Sequence, residues 1–274
     1  MNTPVKPLMH NKKGVILGVA NQHSLAWGIA QALHAHGAEL AFTYFDKVEK
    51  LGPRLTEMAA TLGSKHVYPC NVGDDKSIAN VMDTIASHWN HIDFVVHAIA
   101  FADKDELRGR FVRTSREHFK TCLDTSAYSM IAVANAAHPH MKNGGSLLTL
   151  TYLGGEKVVA NYNVMGVAKA ALEAGIRYLA ADLGQENIRV NALSAGPVKT
   201  LAASGIGGFR DMLKHHEQTA PLKRLTTLED VGNSAVYLLS DLSKGVTGEV
   251  HYVDGGANIL GNGPLPQNTP QAAE

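Results

Sequence analysis

The sequence predicts an α/β fold in which one parallel sheet carries helices on both faces, and two observations support this prediction. Short, almost entirely apolar runs, such as GVILGVA at residues 14–20, are typical of strands that are covered on both faces. They alternate with longer segments whose apolar residues recur at helical spacing, which is typical of βαβ units. The chain has neither an internal repeat nor a recognisable linker, so we expect a single domain over residues 1–274.

In the first hundred residues, four predicted strands alternate with three predicted helices. Ser24 is a residue type that caps helix N-termini and Gly37 is one that ends helices, so a helix is expected between them. Gly63 ends the second helix in the same way. The predicted strands are 14–20, 39–45, 66–72 and 93–100, and the second and third helices are 51–63 and 74–89.

The second part of the chain continues the alternation after a loop at 101–114, with one interruption. Residues 197–227 contain Pro197, several glycines and a short amphipathic piece at 209–216, so we expect a segment that covers a site. The Pro- and Gln-containing tail from about residue 261 is expected to be loose. The remaining predicted helices are 115–140, 162–184 and 228–240, and the remaining strands are 146–152, 189–194 and 249–253. This is a Rossmann-like, doubly wound domain with about seven parallel strands.

Composition excludes several classes of function. Lys+Arg and Asp+Glu both number 25 and the basic residues are scattered, so we expect no nucleic-acid partner. Cys70 and Cys122 form no disulfide framework, and the 14 histidines have no ligand spacing, so no metal site is expected. The chain lacks the G-x-S-x-G motif that carries the nucleophile of many acyl hydrolases. It has neither the apolar start of a signal peptide nor an apolar run of about 18 residues that would span a membrane. We therefore expect a soluble cytoplasmic protein that does not enter the membrane.

In sheets of this kind, ligands bind at the carboxyl ends of the strands. Gly18 lies in the last part of the first predicted strand, and the helix that follows offers unpaired N–H groups to an anion such as a dinucleotide pyrophosphate. The gap from Gly18 to Gly28 is wider than in G-x-G-x-x-G, so an ordinary turn with a serine cap remains the alternative.

The ends of strands two to four add further nucleotide-binding candidates. Phe45 stands where an acidic residue usually contacts the ribose hydroxyls; the following Asp46 disfavours a 2′-phosphate, whereas Lys47 favours one. Small and apolar residues at the next two strand ends suit an adenine and a nicotinamide ring, although ordinary strand ends explain them equally well. They are Asn71, Val72, Ile99 and Ala100.

The fifth strand leads to two tyrosines and a lysine. Tyr162 and Lys169 are seven residues apart, about two helical turns, so they share one face of the predicted helix. A lysine in that position is expected to lower the pKa of a nearby phenol. Tyr152 ends the strand and approaches the same point from the sheet. The alternative is that Tyr162 only packs at the helix start and that Lys169 is solvated.

At these residues the chain resembles the enoyl-acyl-carrier-protein reductases of bacterial fatty-acid synthesis, within the short-chain dehydrogenase/reductase superfamily. The resemblance spans roughly residues 12–260. Ordinary members that act on alcohols and ketones carry Tyr-x-x-x-Lys, but here Gly166 stands four residues after Tyr162 and the lysine follows at Lys169. The closely matching segments are 37–44 (GAELAFTY), 161–169 (NYNVMGVAK), 189–197 (RVNALSAGP) and 200–209 (TLAASGIGGF).

The resemblance implies that NADH delivers hydride to C3 of a trans-2-enoyl thioester on acyl-carrier protein. Tyr162 would hydrogen-bond the enolate oxygen, Lys169 would hold the nicotinamide ribose, and Tyr152 would be a second active-site tyrosine of open role. The implied cofactor contacts are Gly18, Ser24, Leu25, Asn71, Val72, Ile99, Lys169, Val198, Thr200, Leu201 and Ala202. The implied substrate contacts are Ala102, Tyr152, Tyr162, Ala203, Ile206 and Phe209.

Three positions depart from the family pattern. Family members that prefer NADH often carry Gln where this chain has Phe45. They usually carry Asp where this chain has Asn71 and Gly where it has Ala100, and the extra methyl group of Ala100 is expected to narrow the pocket beside the nicotinamide. NADH is expected over NADPH because only Lys47 favours a phosphate.

Two alternative functions remain open. They are a carbonyl reductase or alcohol dehydrogenase, and a nucleotide-binding protein without turnover. Ala-rich helix faces at 115–140 and 162–184, together with the family, indicate a homotetramer.

Overall fold

The structure is a computed structural model that describes residues 7–200 and 209–261. Its described residues form one parallel sheet of seven strands in the order β3-β2-β1-β4-β5-β6-β7. The chain starts in the middle of the sheet and reverses its winding between β1 and β4, which opens a crevice at their carboxyl ends. The strands are β1 Lys13–Leu17, β2 Glu39–Tyr44, β3 His66–Pro69, β4 Phe94–His97, β5 Gly145–Thr151, β6 Ile188–Ala195 and β7 Val250–Val253.

Helices cover both faces of this sheet, as the sequence predicts. One face carries α1, α2 and α8, and the other carries α3, α5 and α6, each with its own apolar core. The helices are α1 Leu25–Ala35, α2 Leu51–Thr61, α3 Asp75–Trp89, α4 Arg116–Leu123, α5 Ser129–Ala137, α6 Asn163–Leu183, α7 Phe209–Thr219 and α8 Leu228–Leu239. Across the described ranges, no helix combines the length and the apolar character that crossing a membrane requires.

Two differences from the predicted elements concern the site. Strands one, three and four each end three residues earlier than their apolar runs, because residues such as Val19 and Val72 stay buried at the sheet edge after strand pairing has stopped. The single helix predicted over 115–140 is interrupted by a π-helical turn, Asp124–Tyr128, between α4 and α5. Such turns insert one residue into a helix and are frequent at functional sites.

A capping box fixes the start of α8, where the chain returns from the segment around α7. Thr227 Oγ1 accepts a hydrogen bond from the Asp230 N–H at 3.1 Å, and the Asp230 carboxylate accepts one from the Thr227 N–H at 2.9 Å. Arg224 forms an ion pair with the same carboxylate. The box satisfies N–H groups that the first turn of a helix otherwise leaves unpaired.

Thr227→Ala is expected to lower the free energy of unfolding by about 1 kcal/mol, because it removes the cap of α8. Urea denaturation followed by circular dichroism measures the change. Thr84→Ala is the matched control, since Thr84 is an exposed threonine inside α3 that only bonds back to Asn80 O. Equal losses for the two variants would show that the capping box contributes nothing.

Candidate active site

The carboxyl ends of β1 and β4 meet at the crevice, and Gly18 makes their close approach possible. Its φ is +97°, in the left-handed region, and a Cβ there would overlap the carbonyl oxygen of Ala98. A side chain at this position would push the two strand ends apart. The glycine that the sequence places at the end of β1 therefore shapes the crevice.

Ser24 does not cap α1 in the way that the sequence suggests. Its backbone has an N-cap conformation, but its Oγ accepts hydrogen bonds from the N–H groups of Ala20 and Asn21 at 3.1 and 3.0 Å. Ser24 thus closes the turn before the helix. The first turn of α1 contains no acidic residue, and the Trp27 N–H already donates to Ser24 O at 3.0 Å, so the N–H groups of Leu25 and Ala26 are the ones placed to meet an anion.

The other residues predicted to contact a cofactor also follow strand ends. Asn71 lies after β3, where its side chain accepts a hydrogen bond from the Gly73 N–H at 3.1 Å. Val72 is buried beside it, and Ile99 packs on the same core after β4. Val198 and Thr200 follow β6. Because the strands are parallel, all of these positions lie along one edge of the sheet.

Part of the predicted set lies outside the described residues. These positions are Leu201, Ala202, Ala203 and Ile206. Phe209 begins α7, which extends three residues beyond the predicted piece at 209–216. Within the described ranges, no three or more His, Cys, Asp or Glu side chains are grouped as they would be around a metal ion.

The two tyrosines lie in contact, and Lys169 is buried at the end of β5. The rings of Tyr152 and Tyr162 meet edge to face with centroids 5.0 Å apart, and Ala102 packs against the same cluster. Lys169 is buried on α6, and its Nζ donates a hydrogen bond of 2.7 Å to Leu150 O at the end of β5. Lys169 is therefore not a solvated helix lysine.

Burial shifts the pKa values of Tyr162 and Lys169. It raises the pKa of Tyr162 well above the usual value of a phenol, and it lowers the pKa of Lys169 to about 8. The Tyr162 pKa shift runs opposite to the lowering that the sequence predicts, because burial is its largest cause and Tyr152, Cys122 and Glu173 act in the same direction. At neutral pH Tyr162 keeps its proton and acts as a hydrogen-bond donor.

The seven-residue step from Tyr162 to Lys169 has a steric cause. Residues Leu153–Gly155, the turn after β5, lie flat against the start of α6. A Cβ on Gly166 would come within 2.7 Å of Gly154 O, so no side chain fits at that position. A lysine four residues after Tyr162 is therefore excluded, and the next residue on this face of α6 is Lys169.

Tyr152 reaches toward α7. Its hydroxyl lies 3.6 Å from the sulfur of Met212, at the length of a weak hydrogen bond. Burial and the Asp254 carboxylate raise the Tyr152 pKa, so this phenol also stays protonated at neutral pH. Tyr152 thus connects the Tyr162 ring to α7.

A buried polar network behind the crevice escaped the sequence analysis. His97, Ser129 and Thr149 are fully buried, and the His97 ring lies 2.8 Å from Ser129 Oγ and 3.1 Å from Thr149 Oγ1. Ser129 donates its own proton to Thr125 O at 2.7 Å, so His97 must donate from Nε2. Burial lowers the His97 pKa to about 3, and the ring is neutral.

The π-helical turn Asp124–Tyr128 fixes the loop after β4. Ser126 is fully buried; its Oγ accepts from the Phe101 N–H at 2.9 Å and lies 3.2 Å from Phe101 O. It therefore holds both backbone groups of the residue between Ala100 and Ala102. Ser126 does not stand out in the sequence, because the predicted helix that contains it begins with the equally polar run SREHFKT at 115–121.

Glu173 is a second residue that the sequence did not reveal. It lies one helical turn after Lys169, is 6% exposed, and accepts a 2.5 Å hydrogen bond from Thr151 Oγ1. Burial raises its pKa. The bond joins the end of β5 to α6.

Comparison with known proteins places this geometry in a family. The family model described as enoyl-(acyl carrier protein) reductase matches residues 18–258. That range contains the crevice, both tyrosines and Lys169. The chain belongs to the enoyl-(acyl carrier protein) reductase family. Membership agrees with the single parallel sheet and with the Tyr162–Lys169 spacing, and it confirms the resemblance seen in the sequence.

Relatives within this family match almost the whole chain. An enoyl-[acyl-carrier-protein] reductase [NADH] of Rhizobium meliloti is 58% identical over 254 residues, which cover 93% of each chain. One from Rickettsia conorii is 57% identical over 258 residues, or 94% of this chain and 98% of the relative. Both names specify NADH.

Solved structures of enoyl-acyl-carrier-protein reductases share the fold. One from Anaplasma phagocytophilum in complex with NAD has a TM-score of 0.89 at 51% identity, covering 95% of this chain and 97% of its own. One from Bacillus cereus with NADP+ and an indole naphthyridinone has a TM-score of 0.91 at 52% identity, covering 93% and 99%.

The buried Lys169 predicts a specific pH dependence of stability. Between pH 8 and 10.5 the folded protein releases this proton while the unfolded chain keeps it, so the stability rises with pH. Relative to Lys169→Met, the free energy of unfolding of the cofactor-free protein is expected to increase there by up to about 1.4 kcal/mol per pH unit. Urea titrations at several pH values measure the difference, and a constant difference from pH 7.5 to 10 would contradict a depressed lysine pKa.

Proposed function

We propose that this protein reduces the C2–C3 double bond of trans-2-enoyl thioesters carried by acyl-carrier protein, with NADH, in type II fatty-acid elongation. The observation that carries the proposal is the contact between Gly154 and Gly166, which leaves no room for a lysine at position 166 and makes Lys169 the lysine that follows Tyr162 on α6. An enoyl thioester, NADH and a proton give the saturated thioester and NAD+.

The residues of the crevice fit a dinucleotide. The first turn of α1 supplies N–H groups and no acidic side chain, which suits the pyrophosphate. NADH, when bound, supplies the hydride. The residues proposed to hold it are Gly18, Ser24, Leu25, Asn71, Val72, Ile99, Lys169, Val198, Thr200, Leu201 and Ala202.

Tyr162 is proposed to stabilise the charge that develops on the thioester carbonyl oxygen. Its pKa is raised, so the phenol is a proton-bearing donor at neutral pH, and within the described residues no protein group hydrogen-bonds its hydroxyl. A preorganised donor in a buried site stabilises an enolate more strongly than water does.

Lys169 is proposed to bind the nicotinamide ribose and to supply positive charge. Its ammonium already donates to Leu150 O, which holds it at the end of β5. Because its pKa is about 8, it is mostly charged at neutral pH and loses that charge in mildly alkaline solution. Lys169 and Tyr162 are the proposed catalytic pair.

Tyr152 is proposed to position the substrate rather than to relay protons. Its hydroxyl contacts Met212 on α7, and its ring supports Tyr162. The residues proposed to line the acyl group are Ala102, Tyr152, Tyr162, Ala203, Ile206 and Phe209. In this proposal residues 197–227 cover the site of a single catalytic domain.

The choice of NADH over NADPH is proposed from the end of β2. Asp46 and Lys47 are both exposed there, and the carboxylate disfavours a 2′-phosphate. The names of the Rhizobium meliloti and Rickettsia conorii relatives support NADH. The Bacillus cereus structure contains NADP+, so the fold itself admits either cofactor. The proposed preference for NADH therefore has to be measured on this protein.

Acyl-carrier protein is the proposed partner, and a homotetramer in the cytoplasm is the proposed state. A groove of about 660 Å³ runs between α4, α5 and α6, and a second copy of the chain is its proposed occupant. Phe119, Ile131 and Leu179 line this groove. The small residues Ala171 and Gly175 allow helices to approach closely there.

Tyr162→Phe is expected to lower kcat for crotonyl thioester at least about 100-fold, because it removes the donor to the enolate oxygen. The dissociation constant for NADH should change less than about twofold. Absorbance of NADH measures turnover, NADH fluorescence measures binding, and parallel assays with NADPH measure the preference. Tyr178→Phe, on the exposed side of α6, is the control.

Three outcomes would contradict the proposal. An unchanged rate for Tyr162→Phe would remove this residue from the mechanism. Turnover of a ketone or secondary alcohol but not of the thioester would indicate a carbonyl reductase. Binding of NADH without turnover of any of these substrates would indicate a nucleotide-binding protein.

A further inference from the structure

The loop between β4 and α4 carries an excess of positive charge that the proposed chemistry does not use. Residues 104–116 contain five basic and two acidic side chains, in a chain whose formal net charge is zero. Three of the basic residues, Arg108, Arg110 and Arg113, fall within six positions and are exposed. We call these three side chains the arginine surface.

The arginine surface has no ion-pair partner within the described residues. Two of the nearby carboxylates, those of Asp103 and Glu106, face a histidine instead. His118 Nδ1 lies 2.9 Å from the Glu106 carboxylate, and its Nε2 lies 3.9 Å from that of Asp103. The three guanidinium groups therefore remain available to an anionic partner.

The same loop is attached to the active site. Leu107 is buried in one cluster with Tyr162 and Met165. The side-chain amide of Asn163, the residue after Tyr162, lies 3.4 Å from the carbonyl oxygens of Glu106 and Gly109. Arg108 and Arg110 flank Gly109 in the chain. The contacts of Asn163 therefore hold these two arginines close to Tyr162, the residue proposed to bind the thioester oxygen.

Exposed apolar side chains accompany the charges. Phe111 is 48% exposed and Val112 is 75% exposed, and both lie between Arg110 and Arg113. Arginine with exposed aromatic residues is the composition that recurs at protein–protein contacts. A small anion would not need the apolar pair, whereas a protein with a carboxylate-bearing surface would use both.

We propose that the arginine surface binds an anionic face of the acyl-carrier protein while its thioester enters beside Tyr162. This inference rests on the proposed function and specifies where the carrier is recognised. Charges at the rim of an interface mainly raise the association rate and make it dependent on salt. The arginine surface should thus affect delivery of the carrier-bound substrate and leave the chemical step unchanged.

The test compares two substrates that carry the same enoyl group, one on acyl-carrier protein and one on neutral N-acetylcysteamine. The double variant Arg108→Glu/Arg110→Glu is expected to lower kcat/KM for the carrier-bound substrate at least about tenfold, mostly through KM. Its kcat/KM for the small thioester should stay within about twofold of wild type. Raising the ionic strength should weaken the wild-type reaction with the carrier and have little effect on the variant.

A matched control reverses two exposed lysines elsewhere, Lys65→Glu/Lys142→Glu, which precede β3 and β5 at the amino edge of the sheet. This control should retain wild-type kinetics with both substrates. Arg108→Gln/Arg110→Gln introduces no new negative charge and should show an intermediate loss with the carrier only, which keeps the test valid if the Glu variant folds poorly.

Equal loss with both substrates would overturn the inference, as would wild-type kinetics of the Glu variant with the carrier. Light scattering on the same samples gives a further test: dissociation of the variant into smaller species would assign the arginines to a subunit contact instead. Failure of the wild-type protein to reduce the small thioester would overturn the proposed function itself and is distinguishable from these results.

Discussion

The contact between the turn after β5 and the first turns of α6 is the constraint on which the site depends. Gly154 leaves room for the Tyr162 ring, and its carbonyl oxygen lies so close to Gly166 that no side chain fits there. The lysine must therefore come at Lys169, where it reaches the end of β5. One steric contact thus sets the distance along α6 between the proposed donor and the proposed ribose-binding cation.

Burial gives these groups their chemical character. Tyr162 and Lys169 are each less than one-tenth exposed, and burial moves both pKa values toward the neutral form. A protonated phenol in a site of low polarity is a stronger electrostatic donor than the same phenol in water. The polar groups behind it, including His97 and Ser126, form hydrogen bonds that offset the free-energy cost of burying them. The hydrogen bond of Ser126 also fixes the loop after β4.

Much of the fold was predictable, because βαβ alternation appears directly in the apolar pattern of the sequence. The ends of strands were less predictable: Val72 and Ile99 remain packed after pairing has stopped, so apolar character overruns β3 and β4. Helical spacing predicted a shared face for Tyr162 and Lys169, but the direction of the tyrosine pKa shift depends on how deeply the phenol is buried. Ser126 was missed because a π-helical turn leaves no periodic signal in the sequence.

The most direct test of the central claim follows the hydride itself. Crotonyl thioester is reduced with NADH deuterated at C4, using each of the two stereoisomers, and the product is examined by NMR and mass spectrometry. One of the two isomers should yield butyryl thioester with a single deuterium at C3, with the hydrogen at C2 coming from solvent. Deuterium on the carbonyl carbon, or an unreduced thioester alongside intact NADH, would contradict the assignment of this site to enolate chemistry.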